Sequence, residues 1–89
     1  MVWRVELSGL AQKNLKQLDH KVAQRILVFL HGRLARLDNP RSIGEALKGS
    51  TSGQFRKYRV GDWQIIASIE DRNIRILVVR IGNHREVYR

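Results

Sequence analysis

The apolar residues change their period part-way along this chain, and that change limits the fold more than any other feature. Between positions 22 and 37 they recur every three or four residues: Val22, Ile26, Leu30, Leu34 and Leu37. Such spacing puts them on one face of a helix, with Lys21, Gln24, Arg25, Arg33 and Arg36 around it. Beyond position 54 the apolar residues alternate with polar ones or run together, as in strands. Helices followed by strands predict an α+β fold with a mainly antiparallel sheet.

The remaining elements fit around that switch. Trp3, Val5 and Leu7 share one parity and Arg4 and Glu6 the other, the pattern of a half-buried strand over 2–7. Ser8 is placed to cap a helix carrying Ala11, Leu15 and Leu18, and Asp19 to cap the longer one. Asp38-Asn39-Pro40 stops that second helix, because proline disfavours helical backbone in the residue before it. The connection between the helices is short, which predicts an antiparallel helical hairpin. Residues 39–54 read as a loop with a short helical turn around Ala46 and Leu47 and a surface turn at Ser50-Thr51-Ser52-Gly53. Strands are expected over 55–60, 63–69 and 74–81, joined by turns at Gly61-Asp62 and Glu70-Asp71-Arg72-Asn73. The apolar run 74–81 suits an interior strand, broken by Gly82-Asn83. The order is β-α-α-β-β-β in one domain, 1–89, with the helical hairpin covering one sheet face and the other left for function.

Charge says what that free face meets. Seventeen Lys and Arg stand against eight Asp and Glu, a formal net charge of +9. Such an excess favours a polyanionic partner. Cysteine is absent, which excludes structural disulfides and thiolate metal sites. No apolar run is long enough to span a bilayer, and the first residues alternate rather than form a signal peptide's apolar core. A soluble cytoplasmic protein without a membrane partner is expected.

Phosphate-binding glycine loops, the zinc-protease HExxH and the nucleophile elbow are all missing. His20 and His31 fall on helices with no ligand nearby in sequence, so neither metal nor cofactor is expected. What remains is a set of cations with a phenol. Phe55, Lys57 and Arg59 share one strand face and Arg56 and Tyr58 the other. Gln64 follows across the turn, Arg80 ends the apolar strand, and His84, Arg85, Tyr88 and Arg89 close the chain. This set fits attack by an RNA 2′-hydroxyl on its adjacent phosphate, which needs a base, an acid and positive charge for the phosphorane. Arginine supplies fixed charge and bidentate phosphate contacts, lysine or histidine can exchange protons, and tyrosine can stack on a base. A basic face that only binds phosphate fits the same composition.

Three stretches carry a family likeness: Leu47-Lys48-Gly49, Phe55 through Ile65, and Val79 through Tyr88. Their order and spacing resemble the RelE/ParE toxin superfamily over nearly the whole chain. The resemblance implies a type II toxin neutralised by a cognate antitoxin. RelE-like members cut mRNA on the ribosome, and ParE-like members poison DNA gyrase. The resemblance points to a metal-independent, ribosome-dependent endoribonuclease. It implies Lys57 as base, Arg59 and Arg85 as phosphorane-stabilising charges, and His84 or Tyr88 beside the leaving oxygen. Lys48, Arg56, Gln64, Arg80 and Arg89 would contact RNA. One departure stands out: Gln64 occupies a position where RelE-type enzymes carry a phosphate-binding arginine.

Overall fold

In the computed structural model, residues 2–47 and 54–83 are described. Strand β1 spans Arg4–Leu7, helix α1 Gly9–Lys16 and helix α2 His20–Gly32. Strands β2 (Glu45–Ala46), β3 (Phe55–Val60), β4 (Trp63–Glu70) and β5 (Arg75–Asn83) follow. The five strands form one sheet in the order β1-β5-β4-β3-β2. It is antiparallel except at β1, which lies parallel to β5 with Leu7 opposite Val78. A parallel neighbour requires a crossover, and the helices provide it.

Both caps form where the sequence places them. Ser8 Oγ accepts from the Ala11 amide at 3.0 Å, and Asp19 Oδ2 accepts from the Lys21 amide at 3.3 Å. The second helix ends earlier than its stripe suggests. After Gly32 the chain tightens into a 3-10 turn at Leu34–Arg36, and Leu34 and Ala35 stay buried. A 3-10 turn repeats every three residues, so it continues the apolar spacing without continuing the α-helix.

Three further expectations are corrected. Ala46 lies in a strand, not in a helical turn: Gly44 has φ +76° and turns the chain so that Glu45 and Ala46 pair with Lys57 and Arg56. Gly82-Asn83 does not break β5, which runs through Asn83 opposite Trp63. Ile74 precedes β5 instead of starting it, because its φ of +47° lies in the left-handed region. The turn at Gly61-Asp62 forms as read. Only its first central residue has positive φ, and glycine in that place is what a type II′ hairpin favours.

The core lies on one side of the sheet. Ala11, Ile26 and Leu30 from the helices pack with Tyr58, Ile65, Ala67, Ile69, Ile76, Val78 and Ile81, all on one face of the sheet. Leu30 is fully buried, so truncating it to alanine would cost about 2–5 kcal/mol. No helix among the described residues is long and apolar enough to cross a membrane.

Candidate active site

Register determines which cations meet. Lys57 lies opposite Ile66, and Ile66 lies opposite Arg80, so the three side chains form one row on the face away from the helices. Two strand spacings separate Lys57 and Arg80, about 10 Å. The next row holds Arg59, Gln64 and Gly82. Arg59 is exposed and its Nε donates to Gly61 O at 3.0 Å. Gln64 is almost fully buried at 4% exposure.

The row of Lys57 opens onto a cleft of about 400 Å³ at the edge of β3. Phe29 and Arg33 of α2 form one wall; Gly44 and Glu45 form another; Lys57, Arg59 and Gln64 line the sheet side. The cleft exists because β2 is only two residues long and leaves β3 uncovered from Tyr58 onward. Glu45 is opposite Lys57, and its Oε2 lies 3.3 Å from Lys57 Nζ. The lysine side chain is 17% exposed and the glutamate 75%.

Beneath the cleft, Tyr58 anchors the strand. Its hydroxyl donates to Pro40 O at 2.7 Å, and its ring tilts against Phe29 at 6.0 Å. Burial holds its phenol above the usual tyrosine range, opposed by the nearby Arg56 and Arg41 guanidiniums. Gly44 packs directly over it. A Cβ on Gly44 would lie 2.6 Å from Lys57 O and 2.7 Å from the Tyr58 ring. Arg56, on the parity of Tyr58, donates to the carbonyls of Ile43 and Gly44 at 3.1 and 2.9 Å, tying the loop to the strand. Arg41 forms a bidentate pair with Asp71, 2.8 and 2.9 Å, at the far end of the sheet.

Lys57, Arg59 and Gln64 therefore share the cleft, and Arg80 extends the lysine's row. Arg56 is on the other parity. Lys48, His84, Arg85, Tyr88 and Arg89 lie outside the described residues.

Residues 5–88 match the family model for the ParE toxin of the type II toxin-antitoxin system parDE. The chain belongs to the RelE/ParE toxin superfamily. Among characterised relatives, toxin RelE of Mycobacterium tuberculosis (strain ATCC 25618 / H37Rv) is 28% identical over 87 residues, covering 98% of this toxin and 87% of that one. The fold is shared with the toxin-antitoxin complex RelBE2 from Mycobacterium tuberculosis, with TM-score 0.81 and 19% identity over 93% of this chain and 92% of that one. The isolated E. coli RelE toxin matches with TM-score 0.73 and 17% identity over 97% and 90%. The archaeal RelE-RelB complex from Pyrococcus horikoshii OT3 matches with TM-score 0.72 and 23% identity over 94% and 97%.

Within this toxin, sequence reasoning missed Glu45, Gly44 and the α2 wall of Phe29 and Arg33. Glycine before a glutamate is the one signal that could have marked the turn into β2. The ion pair with Lys57 follows from register, which a sequence does not display.

Proposed function

We propose that this toxin is a RelE-like, ribosome-dependent mRNA endonuclease of the cytoplasm, restrained by a cognate antitoxin. The observation that carries this reading is Lys57, whose side chain is only 17% exposed, in a cleft shared with Arg59 and Gln64 and in line with Arg80. With its amine unprotonated, Lys57 takes the proton of the 2′-hydroxyl, whose oxygen attacks the adjacent phosphate and expels the 5′-oxygen. Arg59 and Arg85 stabilise the charge of the phosphorane. His84 or Tyr88 protonates the leaving oxygen or positions the nucleotide. Lys48, Arg80 and Arg89 hold the flanking backbone, and Gln64 donates a neutral hydrogen bond where a charge would otherwise stand; Arg56, tied to the Ile43 and Gly44 carbonyls on the other face, takes no part. An acidic, extended antitoxin segment would suit the cationic surface. RelE–antitoxin complexes are among its structural relatives.

Gyrase inhibition is the second reading, favoured by the ParE family match and by the uncharged Gln64. Cell-free translation with primer extension separates the two. Cuts at fixed codon positions support the nuclease. Intact mRNA with blocked supercoiling supports the gyrase inhibitor. In cells, Lys57→Ala and Arg85→Ala relieve growth arrest without unfolding the protein; full toxicity of both variants would sink the site assignment.

A further inference from the structure

Strand β5 outruns its neighbour. Pairing with β1 ends at Leu7 opposite Val78, yet β5 continues to Asn83. Helix α1 takes over that edge with hydrogen bonds of its own. The Ser8 amide donates to Val78 O at 2.9 Å, and Ser8 Oγ donates to Val79 O at 2.7 Å. Asn14 Oδ1 accepts from the Ile81 amide at 3.1 Å. Between these contacts lies a bulge. Ala67 is opposite Val78 and Ile66 is opposite Arg80, so Val79 is the extra residue. The bulge switches parity: Val78 and Ile81 both reach the core, and Arg80 is turned outward into the row of Lys57. A slip of one residue would exchange the two faces of the strand beyond the bulge.

We propose that Asn14 is a positioning residue for Arg80. By holding the Ile81 amide it fixes the strand beyond the bulge, and so fixes where the Arg80 guanidinium meets a substrate phosphate. This rests on the reading of the Lys57 face as the functional face. Loss of the acceptor lets Arg80 drift, and misplacement of about 1 Å can lower activity roughly 100-fold.

The test is a double-mutant cycle on Asn14→Leu and Arg80→Ala, with Asn14→Asp as the conservative variant that keeps an acceptor oxygen. Activity is read twice: as mRNA cleavage in cell-free translation and as the inducer level needed to stop growth. Asn14→Leu is expected to lower activity about 10- to 100-fold, and Asn14→Asp to stay within about threefold of wild type. In the Arg80→Ala background Asn14→Leu should have no further effect. Additive losses, a wild-type Asn14→Leu, or an Arg80→Ala without effect would each overturn the proposal. If Asn14→Leu does not fold, amide exchange on the wild-type protein decides: Ile81 must be protected as strongly as its β5 neighbours, and rapid exchange there overturns the idea. Growth arrest with intact mRNA removes the nuclease reading alone, since the cycle then runs on growth arrest.

Discussion

Replacing Gly44 with alanine would disturb the cleft through a single methyl group. Gly44 has φ +76°, and its Cβ would stand 2.6 Å from Lys57 O and 2.7 and 2.8 Å from the Tyr58 ring. The flexible end of a side chain could move aside, but here the neighbours are a strand carbonyl and a ring that is 2% exposed. Left-handed backbone costs a non-glycine residue about 1–2 kcal/mol. Forcing a methyl into a packed site costs about 1–3 kcal/mol more. The expected loss is therefore about 2–5 kcal/mol, a large share of the roughly 5–15 kcal/mol that keeps such proteins folded. Gly9→Ala is the matched control, since nothing lies within 4 Å of its Cβ and its φ is not positive. It should change stability by no more than about 1 kcal/mol, towards greater stability. Urea unfolding reads both. With a slope of about 1–3 kcal/mol per molar, Gly44→Ala should move the midpoint down by at least about 0.7 M. A Gly44→Ala midpoint equal to that of Gly9→Ala would refute the argument that the loop is pressed against Tyr58.

Tyr58→Phe removes the bond to Pro40 O and should cost about 1–2 kcal/mol in the same assay. Because burial raises the Tyr58 pKa above its ordinary 10.0, the unfolded chain ionises first; stability is full below pH 10 and falls as pH rises through the folded value, and the Phe variant should lack that component of the alkaline loss. Asp71 is held below its ordinary 3.8 by hydrogen bonds from Arg41, so its contribution is present above that pH and lost as pH falls through the lowered value. Asp71 is largely exposed, so Asp71→Asn should cost under about 1 kcal/mol at neutral pH and flatten the acid limb of stability. For binding to single-stranded RNA, Arg59→Ala should lower the slope of log K against log salt by about 0.7, the value of one phosphate contact; an unchanged slope would remove Arg59 from the interface.

Much of the fold was legible because its signals are local. Ser8 and Asp19 stand directly before their helices and cap them, and β3 was bounded at both ends by alternation and by the Gly61 turn. The misread parts depend on partners distant in sequence or on a period that two structures share. Leu34 and Leu37 kept helical spacing through a 3-10 turn. Glu45-Ala46 has no strand pattern of its own and pairs only because β3 offers an edge. The bulge at Val79 hides in a run of apolar residues, where parity cannot be seen. In the site, Lys57, Arg59 and Arg80 were legible as cations of one sheet, and register then set Lys57 and Arg80 in a row. Glu45 was not, because an ion pair across strands exists only once the pairing is known.

The parallel pairing of β1 with β5 bears on when the toxin comes into being. Arg4 is opposite Arg75, so the first strand made must wait for 75 − 4 = 71 further residues before its neighbour exists. At about 5–20 residues per second that is roughly 4–14 s of synthesis. Contacts so far apart in sequence also close late in folding, after the local helices and the β3–β4 hairpin. The strand that carries Arg80 is the last described element to be made, and it completes the sheet at both its edges. A nascent chain thus holds its helices and every residue that lines the cleft before it holds Arg80, so the row of Lys57 and Arg80 forms only once β5 has been made.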